Sequence, residues 1–186
     1  MSSPKIWPRP FPYRVDYNDH FETPKIAYVD ICPLLDIISA KSRECHCIYD
    51  PYFCNGRTKT LLCELGFSNV VHECRDFYQD IENDTIPHHD TFVSNPPYSD
   101  QHKEKCLEFV LEQLRAKDRP FFILMPNYVA AREYYRKLVE KVCPHKAQQR
   151  VRSAQVHLTF FDCHPGRPRR RCCVSTSIST LRIRSP

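Results

Sequence analysis

Strand-like and helix-like segments alternate along this chain of 186 residues, which predicts an α/β domain with a parallel sheet and helices on both faces. Three observations carry the prediction. Short apolar runs at Cys47–Tyr49, Val70–His72, Thr91–Ser94 and Phe121–Leu124 are separated by segments whose apolar residues recur at helical spacing. Each run ends on a polar signal: Asp50, Glu73, Asn95 and Pro126-Asn127-Tyr128. Hydrophobic residues make up 41% of the chain and charged residues 26%, a globular composition with enough apolar mass for one core.

In chain order, residues 1–19 form an arm rich in proline and aromatic residues. From Thr23 to Lys41 the positions Ala27, Ile31, Leu34, Leu35 and Ile38 mark a helix that Pro33 is expected to kink or split. Cys47–Tyr49 is a buried strand, and the loop Pro51–Gly56 leads into a helix with Leu61, Leu62 and Leu65 inward and Gly66 as its C-cap. Val70–His72 and Thr91–Ser94 are further strands. Ser99 or Asp100 is expected to cap the next helix, which carries Leu107, Val110, Leu111 and Leu114 on one face. Phe121–Leu124 reads as a central strand, Ala130–Val142 as a helix, and Val156–Phe161 as one more strand. The folded domain is therefore expected over 20–163, followed by a basic, disordered tail over 164–186.

Composition also excludes. The three glycines, Gly56, Gly66 and Gly166, are too few for a glycine-rich phosphate loop. No apolar run approaches the roughly 18 residues of a membrane span, so no membrane partner is expected. The start MSSPKIWPRPFPYR lacks an apolar signal core, which points to an intracellular protein, cytoplasmic or nuclear, whose 11 cysteines are mostly buried thiols. Cys45-His46-Cys47 and Cys54 lack a second Cys pair at zinc spacing, so no metal is expected. The net charge of +5 is unevenly spread: residues 150–186 carry eight arginines against Asp162 alone, which leaves residues 1–149 at −2.

Asn95-Pro96-Pro97-Tyr98, at a strand end and before a helix, resembles the catalytic motif of class I S-adenosylmethionine-dependent amino-methyltransferases. Asp50-Pro51-Tyr52-Phe53-Cys54-Asn55-Gly56 is similar to their cofactor loop, and Thr23-Pro24 at a helix start to the Thr-Pro element of the adenine-N6 branch. The resemblance spans residues 20–142. It implies a Rossmann-like class I sheet, here with a compressed middle, because only residues 74–94 separate Glu73 from Asn95, and with C-terminal strands cut short.

It also implies roles. Asn95, Pro96, Pro97 and Tyr98 would be catalytic. Thr23, Pro24, Asp50, Tyr52, Gly56, Glu73, Asp76 and Phe77 would hold S-adenosyl-L-methionine, with Glu73 on its ribose, Asp76 on the adenine amine and Phe77 stacked on the adenine ring. An exocyclic amine conjugated to a ring is a poor nucleophile. The Asn95 side-chain carbonyl and the Pro96 backbone carbonyl would accept its two N–H groups and turn the lone pair toward the methyl. Two prolines remove competing backbone donors, and Tyr98 offers a flat face to a base.

The implied acceptor is adenine N6 in nucleic acid, RNA ahead of DNA. The family also methylates glutamine side-chain amides in proteins with the same motif, which stays open here. So does a degenerate module that binds a partner without turnover, suggested by the glycine-poor loop. The mildly acidic body argues for a protein partner that supplies substrate affinity.

Overall fold

The computed structural model describes residues 12, 13, 15, 16, 19, 21–142 and the backbone of 156–161. The expectations for the start of the arm and for the tail over 164–186 lie outside the described residues. The elements are α1 (Lys25–Ile38), β1 (Ile48–Tyr49), α2 (Arg57–Cys63), β2 (Val70–Val71), α3 (Phe77–Glu82), β3 (Thr91–Ser94), α4 (His102–Lys117), β4 (Phe121–Pro126), a 3-10 turn (Asn127–Ala131), α5 (Glu133–Val142) and β5 (Val156–Phe161).

The strands form a parallel sheet in the order β2-β1-β3-β4-β5. Successive side chains of a strand face opposite sides of a sheet, and the two cores follow that period. Ile48, Val70, Val93 and Phe122 meet α1 and α2 on one face. Tyr49, Phe92, Phe121, Ile123 and Met125 meet α3, α4 and α5 on the other. The chain is thus α/β with helices on both faces of a parallel sheet. Among the described residues no strand lies between β2 and β3, and α3 is a single short helix there.

Several boundaries differ from expectation. Helix α1 runs through Pro33 as one element, because the proline lies on the exposed side while Ala27, Tyr28, Ile31, Cys32 and Leu35 hold the other side in the core. Neither Ser99 nor Asp100 caps α4: Asp100 turns into the left-handed region at φ 43°, and the helix starts after Gln101 without a side-chain cap. Strand β4 extends to Pro126, and α5 begins at Glu133 because a 3-10 turn takes up Asn127–Ala131. Cys47 is buried, but Cys45 is exposed and Cys54 half-buried, so the thiols near β1 are not all core residues. Gly66 ends α2 as expected: at φ 92° its N–H donates to Cys63 O while Phe67 N–H donates to Leu62 O, the Schellman pattern.

The order of strands matters for function. From β1 the chain moves to β2 on one side, then crosses to β3 on the other side of β1. The direction of winding therefore reverses between β1 and β3, and in an open parallel sheet the carboxyl ends at such a point flank a crevice.

Candidate active site at the ends of β1 and β3

Asp50 is the first residue past β1 and is 2% exposed. Its Oδ1 accepts from the Tyr52 backbone N–H at 3.2 Å and from the Ser94 hydroxyl. Its Oδ2 accepts from the Thr58 hydroxyl at 2.9 Å. Thr58 has one proton to donate, and Asp50 takes it. The Tyr28 hydroxyl, 2.9 Å from Thr58 Oγ1, is therefore the donor to that oxygen. One carboxylate thus ties together α1, the loop after β1, α2 and the end of β3. Burial holds the Asp50 carboxyl above its ordinary range, against the opposing pull of His72, Ser94 and Thr58.

His72 follows β2 and lies 3.5 Å from Asp50 Oδ2. Its Nδ1 is 3.0 Å from the Asp50 backbone carbonyl, so Nδ1 is the donor and the proton sits there. Its Nε2 is buried without a hydrogen-bond partner. The Phe53 ring stacks on this imidazole at 4.9 Å and 26°. Gly56 explains how that ring fits. It is left-handed at φ 81°, and a Cβ there would meet Phe53 Cζ at 2.8 Å. The loop after β1 needs glycine for its turn and for the close approach of the ring.

Asn95 follows β3. Its Nδ2 donates to the Phe21 carbonyl at 2.9 Å, and its Oδ1 accepts from the Tyr98 hydroxyl at 3.0 Å. These two contacts settle which way the amide faces. Tyr98 Oη also reaches Leu124 O at 3.3 Å, which ties the motif to β4. The arm reaches the residue after the motif through Asp19, whose carboxylate accepts from the Ser99 backbone N–H. Tyr13 packs edge-on against Tyr52 and Tyr78, at 5.9 and 5.6 Å between centroids.

A cleft opens between the two strand ends, with about 490 Å³ of empty space counting its mouth. As a cavity it is narrow, about 30 Å³, room for one or two waters. Five of the expected site residues line it: Thr23, Asp50, Tyr52, Asn95 and Pro97. Pro24 caps α1 beside Thr23, Gly56 shapes the loop, and Pro96 and Tyr98 flank the lining residues from within the motif.

The β2 side differs from expectation. The Glu73 side chain is 64% exposed, 3.9 Å from the Arg75 guanidinium, and lies outside the lining. The Asp76 carboxylate caps α3 by accepting from Tyr78 N–H and Gln79 N–H. Phe77 is 0% exposed, packed among Tyr49, Tyr52, Phe92 and Phe109, so it presents no face on which an adenine could stack. The core gains more from burying that ring than a surface turn could return, which overrides its expected role.

Other cleft residues were not legible. Glu22 pairs with Arg57 at 3.0 Å through Oε2, while its Oε1 is buried without a hydrogen-bond partner. Thr58, Ser94 and His72 anchor Asp50. Their only sequence signal is adjacency to the motifs, which does not reveal direction. Asp19, Glu22 and Asp50 face Arg57 around the cleft, so its lining is acidic. Among the described residues no group of three His, Cys, Asp or Glu could hold a metal ion, and no helix is long and apolar enough to cross a membrane.

No protein-family model matches the chain, and neither a curated protein nor a solved structure does.

Proposed function

We propose that the chain is an S-adenosylmethionine-dependent N-methyltransferase of the Rossmann-like class I kind, acting on adenine N6 in nucleic acid, RNA ahead of DNA. One observation supports this most. The Asn95 amide stands at the end of β3, next to the end of β1 where the winding reverses, and is held from both sides by Phe21 O and Tyr98 Oη. The resemblance of residues 95–98 to the amino-methyltransferase motif supplies the chemistry.

The residues present fit the charge of the cofactor. An acidic lining suits a group that carries a sulfonium and an ammonium, and the unpartnered buried Glu22 Oε1 is an acceptor without a donor. Thr23, Glu22, Asp50 and Tyr52 would hold it. When bound, S-adenosylmethionine supplies an electrophilic methyl. The chain's own residues hold and orient the acceptor. Asn95 Oδ1 has a second lone pair for one amine N–H, and the Pro96 carbonyl is the second acceptor. Pro96 and Pro97 offer no N–H to compete. Fixed acceptors of this kind lower a barrier by positioning and electrostatics, with no reorganisation at the moment of reaction.

A second reading, a module that binds without turnover, draws on the narrowness of the cleft and on Phe53 lying against His72. Calorimetric titration with S-adenosylmethionine separates the two. A dissociation constant in the micromolar range, on the order of −7 to −8 kcal/mol, followed by tritium transfer to an RNA fraction, is the expected result. No heat and no thermal shift at millimolar cofactor would favour the module.

A further inference from the structure

We infer that Phe21 and Tyr128 are the aromatic walls of the acceptor slot, and that they select a planar base on a single strand over a side-chain amide. This rests on the N-methyltransferase reading and concerns the acceptor side of the same site. Among the described residues, six large apolar side chains are exposed, and only Phe21 and Tyr128 are aromatic. Both belong to the carboxyl edge of the sheet, beside the motif.

Phe21 is 69% exposed although its backbone is fixed. Its carbonyl accepts from Asn95 Nδ2, and the residue lines the cleft with Asn95 and Pro97. A ring held in water by a clamped backbone does not contribute to the core. It stands ready beside the atoms expected to hold the amine.

Tyr128 lies in the turn that directly follows β4 and is 46% exposed. Strand β4 runs parallel to β3 with Ser94 opposite Ile123, so the residues after Ser94 and the end of β4 rise side by side. The Tyr98 hydroxyl joins them through Leu124 O. The Arg132 guanidinium sits 5.4 Å from the centre of the Tyr128 ring. A cation covers part of that ring, and the residue still leaves 46% of its surface exposed.

Charge separates the two sides of the motif. The cleft toward β1 carries Asp19, Glu22 and Asp50, which suits a cation. Beyond β4 stand Arg132 and Arg136, which suit phosphates. Aromatic faces joined to arginine are the means by which single strands are held, since every base has a π-face. A glutamine amide has no such face, so the two rings would add nothing to its binding.

The experiment uses the full chain and three fluorescent probes at fixed salt: a single-stranded oligoadenylate, an abasic strand of the same length, and a glutamine-containing peptide. Wild type should bind oligoadenylate at least tenfold more tightly than the abasic strand, and the peptide weakest. Phe21→Ala and Tyr128→Ala should each lose about tenfold for oligoadenylate and almost nothing for the abasic strand. Phe21→Trp and Tyr128→Phe should restore most of that loss, as stacking requires and a backbone role does not. In turnover the Tyr128→Ala change should appear in KM for the strand far more than in kcat. Equal affinity for the two strands, alanine variants that match wild type, or preference for the peptide would each overturn the inference. Failure of the transferase reading looks different: oligoadenylate binding that still depends on both rings, with no heat from the cofactor and no tritium transfer.

Discussion

Asp50 is the first residue past β1 and Glu73 the second past the neighbouring parallel strand β2, and they have opposite environments. The Asp50 side chain is 4% exposed and accepts from two hydroxyls and a backbone N–H. The Glu73 side chain is 64% exposed and, among the described residues, pairs with the half-exposed Arg75 at 3.9 Å. The difference follows from strand order. Strand β1 has neighbours on both sides, so its end is roofed by the loop after it and by Ser94 of β3. Strand β2 is at the edge; His72, the first residue past it, still packs buried against Asp50, and Glu73, one residue further on, turns out to water. A strand-end acid in the centre becomes an anchor that sets the shape of a site. The same residue type at the edge remains solvated.

The contrast can be tested first where it is largest. Asp50→Ala removes the shared acceptor of Thr58, Ser94 and the Tyr52 N–H, and each buried donor left unpaired costs about 1–3 kcal/mol. The expected loss of stability is on the order of 4 kcal/mol, read as a fall in the urea midpoint. A loss under about 1 kcal/mol would mean that water reaches this end of β1.

A second test uses pH on the buried side. Burial holds His89 down to about 4 from an ordinary 6.5, and burial lowers His46 as well. A histidine kept neutral in the fold takes up its proton more readily when unfolded. Its stabilisation is therefore whole above pH 6.5 and declines as pH falls toward 4. For His89 the loss is on the order of 3 kcal/mol across that window. Asp80 and Asp90 add nothing there. Burial raises each carboxyl, but Arg75 and Thr85 outweigh it for Asp80, and the Cys47 N–H and Lys41 for Asp90, so their contributions are lost below about pH 4. Asp50, held high by burial, acts in the opposite sense. His89→Phe should flatten the slope between pH 6.5 and 4 in thermal melts, and an unchanged slope would contradict the assignment.

Asn95→Ala should reduce methyl transfer about a hundredfold or more, roughly 2.7–4 kcal/mol, with cofactor affinity nearly unchanged in calorimetry. Wild-type turnover would make Asn95 a structural turn residue. Gly56→Ala should cost about 1–2 kcal/mol, from the left-handed backbone and the contact with Phe53, and it should reduce cofactor affinity if the loop's shape matters. The smallest effect belongs to the edge. Glu73→Ala should stay within about 0.5 kcal/mol of wild type in stability. A cofactor affinity that also stays within twofold would remove Glu73 from the candidate site, and a tenfold loss would show that the edge strand contributes to it after all.

Much of the fold could be read before any coordinates. The apolar runs at residues 47–49, 70–72, 91–94 and 121–124 each contain a strand, because burial on both faces demands continuous apolar residues. Gly66 marked a C-cap because few other residues adopt its φ. The short stretch between Glu73 and Asn95 has room for one short helix and one strand, and α3 and β3 are what it holds. Phe77 could not be judged in the same way. Beside Asp76 it looked like a surface stacking partner, and only the proximity of Tyr49, Phe92 and Phe109 makes it a core residue.

By itself, then, the chain determined the alternation of strand and helix, the two helix-bearing faces and the position of Asn95-Pro96-Pro97-Tyr98 at a strand end. These are local consequences of side-chain period and of proline and glycine backbone preferences. Only the tertiary structure decided that Asp50 is buried and Glu73 is not, that Asp76 caps a helix, that Glu22 and Arg57 meet, and that Phe21 reaches Asn95. Those outcomes depend on which strand is central and on contacts between residues as far apart as 21 and 95. No period in the sequence encodes them, because long-range neighbours are set by the order in which strands pair.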